Sequence, residues 1–308
     1  MDTPRSRVRL MRALVVAVLT ACITLVAAGP ASAGGHDRGK RGVPDKKISI
    51  QLWTFAEYIG FGTDEATIAR TEEVFESLRE MGYKNVEPFT LSGLSAEEYR
   101  ALLKKHKLRA SARHVNVGSP GSPVDFEQIL RDNRTLGIRY FGSGATPNFA
   151  TEAEWIAYAE YLNELGAMAR KWGQKLMVHN HNWEFQRVFG DRTAFDILME
   201  HTDFGKVVFQ LDLYWITNGG GDPVETLKRY GKRIHLFHVK DMADGPFPGR
   251  IEIVGEGIID FPRIFRTAKK TSNIRSYVVE HDPRFGDPTF DPFEAAEKGF
   301  DYLDRVKF

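Results

Sequence analysis

From Ile48 onward the chain repeats one rhythm eight times: a short apolar run, then a segment with apolar residues at helical spacing. Ile48-Ser49-Ile50-Gln51-Leu52-Trp53 is the first run. A helix follows from about Asp64, with Val74, Phe75, Leu78 and Met81 on one face and Gly82 as its stop. Asn85-Val86-Glu87-Pro88 is the second, followed by N-cap chemistry at Ser95-Ala96-Glu97-Glu98. The remaining runs are Arg109 to Val115, Tyr140-Phe141-Gly142, Lys175 to about His179, Val207 to Asp212, Ile234 to His238 and Ser276 to Glu280. Helical patterns separate them: Phe126 to Leu136, a long one carrying Trp155, Leu162 and Ala169, Thr193 to His201, one opened by Asp222-Pro223, and Phe261 to Lys270; another, capped by Asp291-Pro292, closes the series. Apolar runs of this length, each followed by a helix, read as buried parallel strands. Eight such units in one domain fit a single closed (β/α)8 TIM barrel better than an open doubly wound sheet. No glycine-rich fingerprint follows the first run, which weighs against a dinucleotide fold.

The first 33 residues stand apart as a signal peptide: Arg5, Arg7, Arg9 and Arg12 form a basic start, Ala13 to Ala28 is uncharged, and Ala31-Ser32-Ala33 offers a small-residue cleavage site. The uncharged run has 16 residues, against the roughly 20 of a spanning helix, so cleavage after Ala33 and secretion are expected, with no stable membrane anchor afterwards. Lipid attachment at Cys22, within Leu19-Thr20-Ala21-Cys22, is the less favoured alternative, because Ile23-Thr24-Leu25-Val26 stays apolar. Cleavage would leave 275 of the 308 residues, one domain close to the roughly 250 of a typical barrel. Residues 34–47, rich in Gly, Lys and Arg, are expected to be a flexible start, and 48–308 the catalytic barrel. Cys22 is the only cysteine, so the remaining chain must be stable from its core alone. Without the leader the chain has 38 basic and 40 acidic residues, net −2, which gives no reason to expect a nucleic-acid partner. A homo-oligomer is compatible with the sequence.

Several runs end on residues that carry chemistry. Asp212 ends Val207-Val208-Phe209-Gln210-Leu211, His238 ends Ile234-His235-Leu236-Phe237, and Glu280 ends Tyr277-Val278-Val279. Ligand-type side chains at the carboxyl ends of successive strands are how a barrel builds a site. A buried lone aspartate is costly unless paired, which favours a function for Asp212 over a structural role. With Glu184, these residues form an oxygen-rich set suited to one divalent ion such as Mn, Mg, Co or Zn, with positions left for substrate oxygens. His235 alternates to the other face from His238 and reads as structural. His179 and His181 share a face of an extended segment and serve either as ligands or as acid–base groups. Lys240, two residues past His238, either neutralises charge on a substrate oxygen or is an ordinary surface lysine. Trp53, Glu87 and His114 stand at the mouths of the first three strands as substrate contacts. Gly255-Glu256-Gly257 is too short for a phosphate loop and argues for a tight loop near the mouth.

His179-Asn180-His181-Asn182-Trp183-Glu184-Phe185 resembles the HNHxxEF motif of the xylose-isomerase-like sugar phosphate isomerase/epimerase superfamily. Leu211-Asp212-Leu213-Tyr214-Trp215, His238-Val239-Lys240-Asp241-Met242 and Val254-Gly255-Glu256-Gly257-Ile258-Ile259-Asp260 are similar to its later signatures. The resemblance implies a TIM barrel holding one divalent ion by Glu, Asp, His and Glu. Asp212, His238 and Glu280 match that pattern. In sugar epimerases the first glutamate usually sits on strand five itself, where this chain has His179, so Glu184 and His179 both stand as first ligand. The remaining assignments are His179, His181, Lys240 and Glu280 as catalytic, and Trp215 beside Trp53, Glu87 and His114 against the substrate.

The sugar-active members of the superfamily isomerise or epimerise sugars, dehydrate inososes, or cleave 3-keto-glycosides, and the resemblance implies their shared chemistry of proton abstraction beside a carbonyl through a metal-stabilised enediolate. The leading expectation is a secreted isomerase or epimerase acting on a small sugar or glycoside. A lyase or hydratase acting on keto-sugars or 3-keto-glycosides is the alternative, favoured by histidines where strand five would carry a carboxylate. A nuclease of the same superfamily is disfavoured by the charge, and a non-catalytic sugar-binding protein by the complete Asp212, His238 and Glu280 set.

Overall fold

The computed structural model describes residues 42–247, 249–283 and 289–308. The expected signal peptide, its cleavage site at Ala33 and Cys22 lie outside the described residues. Nine parallel strands form the main sheet: β1 (Ile48–Gln51), β2 (Asn85–Glu87), β3 (Arg109–Ala110), β4 (Arg113–His114), β5 (Tyr140–Gly142), β6 (Lys175–His179), β7 (Val207–Asp212), β8 (Ile234–Val239) and β9 (Ser276–Val279). Their order is β3-β2-β1-β9-β8-β7-β6-β5-β4. Because β3 and β4 are halves of one run, separated only by Ser111 and Ala112, the order returns to its start and the sheet is a TIM barrel with eight strand positions.

Helices α1 (Glu65–Met81), α2 (Ala96–Lys105), α3 (Phe126–Leu136), α4 (Glu152–Lys171), α5 (Ala194–His201), α6 (Pro223–Tyr230), α7 (Phe261–Thr271) and α8 (Pro292–Arg305) follow the successive strand positions. Their starts follow local chemistry. Ser95, Thr151 and Thr193 form capping boxes with Glu98, Glu154 and Asp196, and α6 and α8 begin with an Asp-Pro pair. Gly82 ends α1 in the left-handed region (φ 106°), as expected of a helix stop.

Three differences from the sequence expectation exceed a single residue at a strand end. The first strand stops at Gln51, whose side-chain oxygen accepts the Trp53 N–H and turns Leu52–Phe55 into a 3-10 helix. The third run divides at Ser111-Ala112. Part of the segment expected to be flexible over 34–47 is instead built in: Val43 is buried, its N–H donates to Leu303 O, and Asp45–Lys47 form a 3-10 turn.

The period of two sorts each strand into an outer and an inner face. Val207, Phe209 and Leu211 join the large core between sheet and helices, as do Phe237 and Val239. Val208 and Leu236 point the other way, into a small plug with Ala112, Tyr140 and Met177. Residues one or two steps further along the inner face are therefore His179, Gln210, Asp212, His238 and Lys240, all buried. Register brings them to one level: His238 is paired with Asp212, and Val279 with Val239, which puts Glu280 beside the end of β8.

Candidate active site

At the carboxyl end of the barrel a cavity of about 400 Å³ is lined by Trp53, Phe89, His114, His179, His181 and Lys240, among others, with Glu280 and Asp282; cavities of this size hold small-molecule ligands. Its floor is a dense charge cluster. Asp212, His238 and Glu280 each present a donor atom within 4.8 Å of the others. His238 Nδ1 lies 2.7 Å from Glu280 Oε2 and 3.8 Å from Asp212 Oδ2. Its other nitrogen, Nε2, meets Glu87 Oε1 at 2.7 Å. Lys240 Nζ reaches Glu280 Oε2 and Asp282 Oδ1, both at 2.9 Å, and Asp212 Oδ2 at 3.5 Å.

The electrostatics are those of carboxylates outnumbering their cations in a dry site. Burial opposes charge on His238, but Glu280 and Glu87 on its two sides outweigh it and raise the imidazole to about 10. Burial raises Asp212 to about 6 in spite of Lys240. Burial opposes ionisation of Glu280 as well, yet Lys240 and His238 hold it well below the usual carboxylate range. Lys240 is raised, its burial overcome by Asp282, Glu280 and Asp212.

The donor set fits a divalent ion on two further observations. Asp212 Oδ2 is buried and without a hydrogen-bond partner among the described residues, and so is His179 Nδ1. Asp212 Oδ2 keeps only its longer ion pairs to Lys240 and His238, and a buried polar atom without a hydrogen bond is costly unless something binds it. His179 also belongs to a second group of adjacent donors, with His114 and His238, whose atoms lie within 4.8 Å of one another.

The other expected site residues are distributed as follows. Glu184 is not brought to the cluster: one oxygen accepts from Thr146 Oγ1 and the other from the His181 N–H at 2.8 Å. Burial raises it to about 7 against those hydrogen bonds. Glu87, expected to touch substrate, lies inside the barrel below the cavity. Its Oε1 takes Gln51 Nε2 and His238 Nε2, each at 2.7 Å, and its Oε2 takes Gln210 Nε2 at 2.8 Å. The short second strand ends on an inner position, which accounts for this. Trp215, also expected against substrate, is not among the cavity-lining residues; it backs His181 (centroids 5.0 Å apart) and Lys240 (5.3 Å). Trp53 does line the cavity, edge-on to Phe89. His114 lines it too, with Nε2 at 2.7 Å from Gln210 Oε1. His235 is remote from the cluster, meeting the Tyr140 hydroxyl at 3.4 Å, with Lys175, Arg275 and Arg139 around it.

The His179–Phe185 motif is chiefly a brace for its two histidines. Asn180 Oδ1 accepts the Asp212 N–H at 2.9 Å, tying the loop to β7. Asn182 Nδ2 donates to Asn218 at 3.0 Å, and Trp183 Nε1 to Thr146 at 3.0 Å. Trp183 also stacks on His181 at 4.4 Å with an interplanar angle of 4°. The imidazoles reach the cavity as neutral groups: burial, then neighbouring His238, holds His179 well down, and burial, then Lys240, lowers His181 to about 3.

The loop carrying Gly255-Glu256-Gly257 is fastened by Asp241, which accepts backbone N–H groups of Met242, Gly255, Gly257 and Ile259 at 2.8 to 3.1 Å. A Cβ at Gly257 would fall on the Asp241 carboxylate and the Met242 carbonyl, so the close approach requires glycine.

Gln51, Gln210 and Asp282 belong to this network and were missed from sequence. Gln210 carried a signal: it interrupts an apolar run two residues before Asp212, on the same face. Because Glu87 orients His238 through Nε2, Glu87→Gln is expected to weaken divalent-metal affinity by about 10- to 100-fold with the fold retained. Metal titration by calorimetry checks this.

A family model for the xylose isomerase-like TIM barrel matches residues 75–306. An inosose dehydratase from Clostridium perfringens is 32% identical over 155 residues, which cover 44% of this chain and 51% of that one. The chain thus spans about half the length of that relative. Among solved structures, a sugar phosphate isomerase/epimerase from Parabacteroides distasonis superposes with a TM-score of 0.70 at 23% identity, covering 85% of this chain and 94% of the other. The IolI protein with a bound zinc atom superposes with a TM-score of 0.61 at 18% identity, covering 82% and 95%.

Proposed function

The chain belongs to the xylose isomerase-like TIM barrel family, and from that premise we propose that it is a divalent-metal-dependent lyase that removes water from a small polyhydroxy ketone, a keto-sugar or keto-cyclitol. This reverses the priority that sequence alone suggested, in which isomerisation or epimerisation led and the lyase was the alternative. The similarity to inosose dehydratases supports the change.

One observation carries the reading. In the ring of eight strand positions β6 lies four places from β1, so His179 and His181 enter the cavity opposite Trp53. An epimerase that moves a proton between the two faces of a carbon needs acid–base groups on both sides. Here the β6 side carries neutral imidazoles, and on the opposite wall Trp53 and Phe89 stand beside Glu280 and Asp282, whose carboxylates are already paired with Lys240.

Asp212, His238 and Glu280, with His179 beside them, are the residues that would hold the ion; the mixed imidazole and carboxylate set suits Zn, Co or Mn. When bound, such an ion supplies Lewis acidity at a substrate carbonyl oxygen. Glu184 braces the His181 loop rather than ligating. His181, neutral and fixed by its stack on Trp183, accepts the proton from the carbon next to the carbonyl. The C–H electron pair becomes the new C=C bond as the C–O bond of the β-hydroxyl breaks. The hydroxyl departs as water with the proton His181 received. The Lys240 ammonium stands beside the negative charge that develops on the carbonyl oxygen.

Lys240 is the only cation lining the cavity among the described residues, and Glu280 and Asp282 already engage it. An uncharged sugar therefore suits the site better than a sugar phosphate. That also fits the secretion read from the leader, since free sugars and glycosides are what an exported enzyme meets.

Incubating metal-loaded protein with keto-sugars and keto-cyclitols in D₂O, followed by NMR and mass spectrometry, tests the proposal. A product that has lost water is the expected result. A deuterated epimer or isomer of unchanged composition, with no dehydrated product, would return the assignment to the isomerase class.

A further inference from the structure

The opposite end of the barrel, where the strands begin, has a charge pattern of its own. A lysine or arginine stands at or just before the start of every strand position. Lys84 and Lys206 are paired, with Asp45 at 3.0 Å and Asp203 at 3.1 Å. Those two aspartates are the only acids in the connections leading into the strands, residues 42–47, 82–84, 106–108, 137–139, 172–174, 202–206, 231–233 and 272–275. Lys46, Lys107, Arg109, Arg139, Lys232 and Arg275 are exposed there and have no ion-pair partner among the described residues. The chain without its leader is net −2, so this end is a cationic pole on an otherwise acidic body.

Helix carboxyl ends lie on this face and favour cations, but that effect fades within the last turn. The exposed cations lie beyond it. Neighbouring connections are close enough to repel each other. Burial and then Arg275 and Lys46 hold Lys47 below its usual range; burial and then Arg139 and Arg170 do the same to Lys175. A cavity of about 290 Å³ opens between Arg139, Arg170 and Lys175. One feature separates this face from a plain polyanion surface. Phe204, in the connection before β7, projects from it with 55% of its surface exposed.

We propose that this cationic face is a docking surface for an anionic lipid bilayer, with the lysines and arginines over the headgroup phosphates and Phe204 in the interface. An aromatic wedge among cations is what an interfacial surface needs and what a nucleic-acid groove does not. The docked barrel keeps its catalytic mouth, at the other end of the strands, turned to the aqueous side. Among the described residues no helix is long and apolar enough to cross a membrane.

Co-sedimentation of the full chain with vesicles tests this, using phosphatidylcholine alone and phosphatidylcholine with a third phosphatidylglycerol. The leader, with Arg5, Arg7, Arg9 and Arg12, is common to wild type and variants, so the difference between them isolates this face. The expected result is added affinity for the anionic vesicles that disappears near 1 M salt, where the screening length is about 3 Å. A combined Lys107→Gln, Arg109→Gln, Arg139→Gln, Arg275→Gln variant is expected to lose about 100-fold or more of that added affinity, since each cation near an anionic surface multiplies partitioning by about five. Phe204→Ser alone should lower it several-fold, and both variants should keep wild-type turnover. Equal binding to the two kinds of vesicle would overturn the proposal, as would anionic binding unchanged in the folded quadruple variant. Tight, salt-sensitive binding to duplex DNA or heparin without anionic-vesicle binding would assign the face to a soluble polyanion instead.

Discussion

Glu280→Gln is expected to lower turnover by about 10²- to 10³-fold, the range seen when one electrostatic stabiliser is removed from an active site, while the protein stays folded. The shape of the side chain is kept, and its place past β9 is held by the Glu280 N–H to Val239 carbonyl bond (3.1 Å), which the substitution leaves alone. What is lost is charge. Glu280 Oε2 meets His238 Nδ1 at 2.7 Å and Lys240 Nζ at 2.9 Å, closer to both than Asp212 Oδ2. An amide there presents either an oxygen without formal charge or an NH₂ directed at a cation. The donor group of Asp212, His238 and Glu280 then has one carboxylate instead of two, so stoichiometric divalent metal should also be lost on dialysis. Turnover and metal content measured on the same preparation check the prediction. An active variant that retains its metal would remove Glu280 from the site.

The barrel was legible because its architecture rests on a repeated local signal. Each apolar run and each capped helix could be read alone, and eight of them leave few arrangements open. Asp212, His238 and Glu280 were legible for a related reason: a strand's period and its carboxyl end together say where its final inner residue goes. Glu87 and Glu184 show where that logic stops. Glu87 also ends a strand, but whether such a residue opens to the cavity or sinks beneath it depends on what faces it across the barrel, here Gln51, Gln210 and His238. Those partners come from β1, β7 and β8, far away in sequence. Glu184 lies in a loop, where no period tells which way a carboxylate turns, and its partner Thr146 is 38 residues distant. Lys240 was undecided between surface and site because one residue past a strand can turn either way; the acids at Asp212, Glu280 and Asp282 draw it inward. The basic pole was hidden for another reason. Its members are single residues spaced along the chain, and only barrel closure gathers them on one face.

Lys240→Met should be the most destabilising change at the mouth, by about 3–5 kcal/mol when no metal is added, the cost of stripping one partner from a buried ion pair. Lys240 is 1% exposed and lies within 3.5 Å of carboxylate oxygens of Asp212, Glu280 and Asp282. Methionine fills nearly the same volume, so packing is largely conserved and the loss is electrostatic. Three acids would then share a dry site with His238 as the remaining cation. They can relieve the repulsion by taking up protons or a metal ion, or by unfolding. Added divalent metal should therefore raise the variant's stability by more than it raises that of the wild type, because the more negative cluster binds a cation more tightly and binding to the native state is stabilising. Urea denaturation of both proteins, with and without metal, measures the two effects. Equal midpoints for wild type and variant in the absence of metal would show that the ammonium does not balance these carboxylates, and the charge accounting on which the cation site rests would have to be redrawn.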